Sequence, residues 1–216
     1  MFPLFPEEER AIANAVAKRR VEFSAGRYCA RLAMAQLGYL PCNLPPGPDR
    51  TPQWPTGIVG SITHNPSYCA AVVASSRDFP SLGIDMEAVG AVALDLVREV
   101  MRPDEIAEFD PSAQADGADW LTVFFCLKEA AYKAFYPVFR EILGFQDMRV
   151  SVNPEKRTFE AEASALSRAA KITLQGRYLV KHNNVFAASW RTHEATSLNN
   201  SSPVSGRGVR SPSARA

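Results

Sequence analysis

The chain has 216 residues, 24 basic and 23 acidic side chains, a formal charge of +1 and 46% apolar residues. A chain of this size buries roughly 70% of the surface it exposes unfolded, so its core needs no disulfide or metal staple. The balanced charge excludes a generally basic nucleic-acid binder. Cys29, Cys42, Cys69 and Cys126 form no C-x-x-C pair, which excludes a zinc ribbon or a dithiol redox motif. The first residues lack the basic and apolar regions of a signal peptide. The longest uncharged stretch, 55–76, is broken by Thr63, His64, Asn65 and Pro66. A cytoplasmic protein without a membrane span is therefore expected.

Taken in chain order, residues 7–38 predict a helix rich in Ala, Arg, Glu and Leu, broken at Ser24-Ala25-Gly26. Residues 41–55 are crowded with proline and predict a loop. Three strands follow, Ile58 to Thr63, Tyr68 to Ala74 and Leu82 to Glu87, the first two joined by a turn at Pro66-Ser67. Residues 91–109 predict helix, with Pro103 opening a second short one. From Asp119 to Phe139, apolar residues at Leu121, Phe124, Phe125, Ala131, Tyr132 and Phe135 are spaced for a buried helix face. Further strands are expected at Arg149 to Val152, Thr158 to Glu162, Ile172 to Val180 and Val185 to Trp190. Each half thus runs helix first and antiparallel strands second, an α/β (α+β) pattern. Residues 195–216 hold six serines, three arginines and no acid, and predict a disordered tail.

The charge is segregated. Residues 18–50 carry six basic groups against Glu22 and Asp49, whereas residues 78–119 carry eleven carboxylates against Arg98 and Arg102. Either both stretches are solvated faces, or a cationic wall faces an anionic one.

Several residues could carry chemistry. On a strand, Asp85 and Glu87 point to one face while Ile84 and Met86 face the core. Two adjacent carboxylates repel unless a proton or cation lies between them, and oxygen-only ligands favour a hard ion such as magnesium. Glu129 and Lys133 are four apart on the long helix, in the favoured order for a surface salt pair. Functionally, Glu129 could join Asp85 and Glu87 on one ion while Lys133 reaches a phosphate. Lys128 is rotated about 100° from Glu129 and would approach from another side. Thr63 and His64 could present a hydroxyl and an imidazole where a strand feeds a turn. No G-x-S-x-G elbow surrounds any serine, so a Ser61–His64–Asp85 triad is discounted. Neither a P-loop nor a dinucleotide fingerprint occurs.

In this order, the segments Arg19-Arg20-x-Glu22-Phe23, Gly26-Arg27-x-Cys29-Ala30-Arg31, Pro52-x-Trp54-Pro55, Gly60-Ser61-Ile62-Thr63-His64, Gly83-Ile84-Asp85-x-Glu87, Phe125-x-x-Lys128-Glu129-Ala130-x-Tyr132-Lys133 and Gly144-Phe145-x-Asp147 resemble the 4′-phosphopantetheinyl transferases. The likeness is to the monomeric type of siderophore and polyketide synthesis and covers residues 10–190. It implies two pseudo-twofold-related subdomains, each with a small antiparallel sheet and a long helix: 1–110, and 111–194 before the tail. It implies transfer of the phosphopantetheine arm of coenzyme A to a carrier-protein serine, with release of 3′,5′-ADP.

By this resemblance Asp85, Glu87 and Glu129 would hold magnesium, or manganese, against the pyrophosphate. Arg19, Arg27, Arg50, Thr63, His64, Lys128 and Lys133 would hold coenzyme A. Glu129 or Glu105 would take the serine proton. The chain departs from the family pattern at Asn65-Pro66, where a small pair is usual, at Phe125, where Trp is common, and at Ala130, where Ser is. Two other readings use the same residues: a magnesium-dependent phosphohydrolase of a small nucleotide, and a non-catalytic coenzyme A or carrier-protein binder.

Overall fold

The computed structural model describes residues 1–165 and 170–193. A short helix α1 (Pro6–Ala11) precedes a long helix α2 (Ala17–Gln36). A proline-rich loop then leads into strands β1 (Ile58–His64) and β2 (Cys69–Ser75), an antiparallel hairpin. Strand β3 (Ser81–Ala88) follows, then two short helices, α3 (Val97–Val100) and α4 (Pro103–Glu108). The two-residue strands β4 (Gln114–Ala115) and β5 (Ala118–Asp119) lead into the second long helix, α5 (Trp120–Phe139). The chain continues through β6 (Met148–Asn153), β7 (Thr158–Ala165), β8 (Ala170–Lys181) and β9 (Asn184–Arg191).

The helix break expected at Ser24-Ala25-Gly26 is not there. α2 runs through these residues, and the break lies between α1 and α2. Gly26 serves close packing instead: a Cβ there would stand 2.9 Å from the Ile62 methyl on β1. Helix at 91–109 is shorter than expected, a single turn in α3, and Pro103 opens the second short helix, α4, as expected. The tail at 195–216 lies outside the described residues.

Strands β3, β9, β8, β7 and β6 form one antiparallel five-stranded sheet in that order. The strand expected to close the first half thus sits at the edge of the second half's sheet. α5 starts where Asp119 caps it, accepting from the Thr122 N–H at 2.7 Å and the Thr122 hydroxyl at 2.9 Å. Its apolar residues, among them Leu121, Phe124, Leu127 and Phe135, pack with Met148, Val150, Phe159 and Leu174 into the main core. A second, smaller core lies under α2, where Ala30, Met34 and Leu44 meet Trp54, Ile62, Ala71 and Val73.

Candidate active site

The site is assembled where β3 touches α5. Gly83 permits the approach, because a Cβ there would overlap the Ala130 carbonyl and stand 2.5 Å from the Ala134 nitrogen. Period-two alternation then puts Asp85 and Glu87 on the same face as Gly83. Their register partners Ala187 and Val185 belong to that helix-facing side of the sheet. The carboxylates therefore share the face of the α5 core, whereas Ile84, half-buried, and Met86 lie on the opposite face. Met86 is 1% exposed, as expected of a core residue, but both faces of β3 are covered, so the carboxylates do not emerge to solvent as expected.

Asp85 is buried. Its Oδ1 accepts from the Thr63 hydroxyl at 3.1 Å and from Lys133 Nζ at 2.5 Å. Lys133 thus spans from α5 to β3 rather than forming the helix-surface pair with Glu129. The other oxygen, Asp85 Oδ2, is buried without a hydrogen-bond partner among the described residues. The nearby Cys126 thiol donates to the Val185 carbonyl at 3.6 Å, and burial pushes its proton affinity well up. Burial raises the Glu87 carboxyl above its usual range, with repulsion from Asp85 and Glu129 adding to the rise and Lys133 opposing it. Burial also raises Glu129, against the attraction of Lys133 and with the repulsion of Asp85. Asp85, Glu87 and Glu129 sense one another electrostatically. Among the described residues, no three His, Cys, Asp or Glu side chains already enclose a metal position.

A cavity of about 660 Å³ opens beside Lys133, between the proline-rich loop and α5. Arg50, Trp54, Ser61, Tyr132, Tyr136 and Arg140 line it. Arg50 stands at its rim with a left-handed φ of 66°. Asp49 ties the rim across the cavity by an ion pair with Arg140. On the other side of Tyr132, a cavity of about 190 Å³ is lined by Lys128, Glu129, Leu143, Phe145 and Met148.

The remaining expected residues divide. His64 and Arg19 converge on Glu22, at 3.8 and 3.9 Å, with Lys18 also 3.9 Å away. Glu22 organises this basic cluster, and its spacing of three and four from Arg19 and Lys18 was a readable signal. Arg27 is not brought to the cavity. It is 5% exposed, lies over the Phe23 ring, and donates from Nε to the Leu44 carbonyl at 2.6 Å. Burial lowers its pKa to about 10.

Lys128 and Glu105 are also turned away from Asp85. They form a buried ion pair at 2.7 Å, 1% and 2% exposed. Lys128 donates as well to the carbonyls of Val100 and Phe145, and burial lowers its proton affinity. Glu105 accepts from the backbone N–H groups of Arg102 and Val150. Its place at the third position of α4 is that of a capping residue, and Pro103-Asp104-Glu105 was the signal for it.

Two family comparisons decide the identity. Residues 7–74 match the 4′-phosphopantetheinyl transferase N-terminal domain, and residues 81–193 match the 4′-phosphopantetheinyl transferase superfamily. The chain belongs to the 4′-phosphopantetheinyl transferase superfamily. It is similar to the 4′-phosphopantetheinyl transferase PptT of Mycobacterium tuberculosis, at 36% identity over 85% of this chain and 84% of that one. It is also similar to the transferase Npt of Nocardia iowensis, at 40% identity over 73% and 67% of the two chains. Enterobactin synthase component D of Escherichia coli matches at 34% identity over 57% and 58%. The crystal structure of holo-ACP-synthase from Plasmodium yoelii is a looser likeness, with a TM-score of 0.37 and 15% identity over 50% of this chain and 91% of that one.

The chain is accordingly an enzyme, a phosphopantetheinyl transferase, of a family that acts on coenzyme A and carrier proteins. Among the described residues no helix is long and apolar enough to cross a membrane.

Proposed function

We propose that this transferase moves the phosphopantetheine arm from coenzyme A to a serine of an apo acyl- or peptidyl-carrier protein of siderophore, polyketide or peptide synthesis, releasing 3′,5′-ADP. The observation that carries the reading is the meeting of Asp85, Glu87, Glu129 and Lys133 at the β3–α5 contact. The serine oxygen bonds to the phosphorus that bears the arm, the bond from that phosphorus to the bridging oxygen breaks, and 3′,5′-ADP leaves. Such a transfer needs positioning and charge neutralisation more than covalent help.

Asp85, Glu87 and Glu129 suit a hard divalent cation. They offer oxygen only, Asp85 Oδ2 is orphaned, and the raised affinities of Glu87 and Glu129 for protons mark a place that a cation would relieve. Magnesium, or manganese, held there would neutralise charge developing on the pyrophosphate oxygens. Lys133 holds Asp85 in position and brings a fixed positive charge to the phosphates. Glu129, on α5 beside Lys133, takes the serine proton. Arg50 at the cavity rim and the Arg19–His64 cluster meet the phosphates of the nucleotide end. The small apolar cavity beside Glu129 suits the uncharged arm. Glu105, Lys128 and Arg27 support the scaffold instead.

The site draws on two halves, 1–110 and 111–194. The separate cores under α2 and α5 support this division, with β3 as the first half's strand in the second half's sheet. One chain supplies every group named, so we take the enzyme to act as a monomer, in the cytoplasm beside its substrates.

The test is mass spectrometry of an apo carrier protein incubated with the enzyme, coenzyme A and magnesium. The carrier gains one phosphopantetheine, and EDTA or Asp85→Ala abolishes the gain. Coenzyme A consumed with the carrier unchanged would instead establish a hydrolase. Coenzyme A bound but not consumed would establish a binder.

A further inference from the structure

The β1–β2 hairpin carries Thr63 and His64, yet it belongs to the small core under α2, while Asp85 and Glu87 belong to the sheet packed on α5. A cavity of about 370 Å³ opens beside this junction, lined by Thr63, Ala70, Ile84, Met86 and Phe186 among others. Hydrogen bonds join the hairpin to the sheet. Ser61 Oγ accepts from the Ile84 N–H at 3.1 Å, and the Thr63 hydroxyl donates to Asp85. Asn65 Nδ2 donates to Asn184 Oδ1 at 2.6 Å, joining residues 119 apart in sequence.

The direction of this last bond is set at both ends. Asn65 Oδ1 accepts the N–H groups of Ser67 and Tyr68, both at 2.9 Å, so its amide nitrogen must face Asn184. Asn184 Nδ2 donates to the His182 carbonyl at 2.7 Å, so its oxygen must face Asn65. Asn184 itself is 4% exposed. It closes the tight β8–β9 turn, whose central residues His182 and Asn183 have φ of 49° and 58°. The same turn holds the end of β3, because the Asn183 carbonyl accepts from the Val89 N–H. Asn65 is thus one residue beyond His64, and Asn184 is one register step beyond the Glu87–Val185 pair.

We infer that Asn65 and Asn184 form a polar latch that positions the hairpin against the sheet, setting the distance between the phosphate-binding groups Thr63 and His64 and the carboxylates Asp85 and Glu87. They are positioning residues and do not touch the reacting atoms. This gives a use to the Asn65-Pro66 departure from the family pattern. Pro66 has no N–H to compete for Asn65 Oδ1, which therefore reaches over it to the next two residues. The inference rests on the proposed assignment of those groups to coenzyme A and the cation. Its physical part, the attachment of the hairpin, stands apart from that assignment.

An isosteric substitution tests it. Asn65→Asp keeps an acceptor for Ser67 and Tyr68 but turns an oxygen toward Asn184 Oδ1, so the turn survives and the latch opens. In Asn65→Asp, amide hydrogen exchange across 58–75 speeds up about tenfold while exchange in α5 is unchanged. The dissociation constant for coenzyme A, measured by calorimetry at saturating magnesium without carrier, rises about tenfold, and thermal unfolding stays cooperative.

If Asn65→Asp fails to fold, Asn65→Ser, which shortens the side chain out of reach of Asn184, takes its place with the same two readouts. Unchanged hairpin exchange in Asn65→Asp would overturn the latch. Faster hairpin exchange in an enzyme whose parent modifies no carrier would overturn the proposed function and leave the attachment of the hairpin intact.

Discussion

Gly83 on β3 lies directly against the backbone of Ala130 on α5, with no room for a β-carbon between them. This contact brings Asp85 and Glu87 to Glu129 and Lys133, so it is both a packing and a functional constraint. Gly83→Ala should cost about 1–3 kcal/mol in urea unfolding. It should also reduce transfer activity by more than the unfolded fraction explains, because the strand and helix must separate to admit the methyl group. Activity that simply followed the folded population would show that the contact serves packing alone.

Lys133 holds Asp85 Oδ1, the oxygen that Thr63 also holds. Lys133→Met leaves Asp85 buried with one partner fewer and removes a positive charge from the phosphates. The expected result is a loss of roughly 100-fold in kcat, with the carrier protein's KM within about twofold of the parent. A loss confined to KM would instead make Lys133 a docking residue.

The sequence made the backbone of the site legible wherever the cause was local. Period-two alternation placed Asp85 with Glu87, and four-residue spacing placed Glu129 with Lys133. The seven longer strands were found within a few residues, whereas the two-residue strands β4 and β5 were not. Choices made across the fold were not legible. Lys133 prefers Asp85 to Glu129 because Gly83 admits α5, and no property of the helix alone contains that fact. Nor does the alternation say which face of β3 meets α5, so Asp85 and Glu87 were expected on the side away from the core.

Charge was the least reliable guide. Lys128 and Arg27 were expected at the phosphates of coenzyme A. Their burial was not legible, because it depends on Glu105 and Leu44, which are distant in sequence. Asn65 was readable as a turn residue before proline, but its bond to Asn184 joins residues 119 apart.

Glu105 is paired with Lys128 in the interior, and its proposed structural role can be told from a catalytic one. Glu105→Ala leaves Lys128 buried without its ion partner and also removes the acceptor of the Arg102 and Val150 N–H groups. Its cost should be about 3–5 kcal/mol in urea unfolding. Replacing both members together, Glu105→Met with Lys128→Leu, removes both charges from the interior and should recover part of that stability. Activity per folded molecule should remain within about threefold of the parent. Abolished transfer in a stably folded double variant would return Glu105 to the reaction as its base.

The raised carboxyls of Glu87 and Glu129 make a signed prediction about pH and metal. A carboxyl with a higher pKa in the folded state keeps its proton to higher pH than the unfolded chain does. The folded state therefore loses stability as pH rises from the ordinary glutamate value, about 4.3, through the raised one. In metal-free protein, Glu129→Gln removes one charge from this repelling group. The melting temperature should rise by a few degrees at pH 7.5, where about 1 kcal/mol corresponds to roughly 2–4 °C in a chain of this size. Near pH 4, where the parent carboxyl is largely protonated, the two proteins should melt together. Magnesium should raise the parent's melting temperature at pH 7.5, releasing any proton still held by Glu87 or Glu129, and should have little effect on Glu129→Gln. A Glu129→Gln variant that melts lower than the parent at pH 7.5 without metal would mean that the attraction of Lys133 outweighs the burial of Glu129.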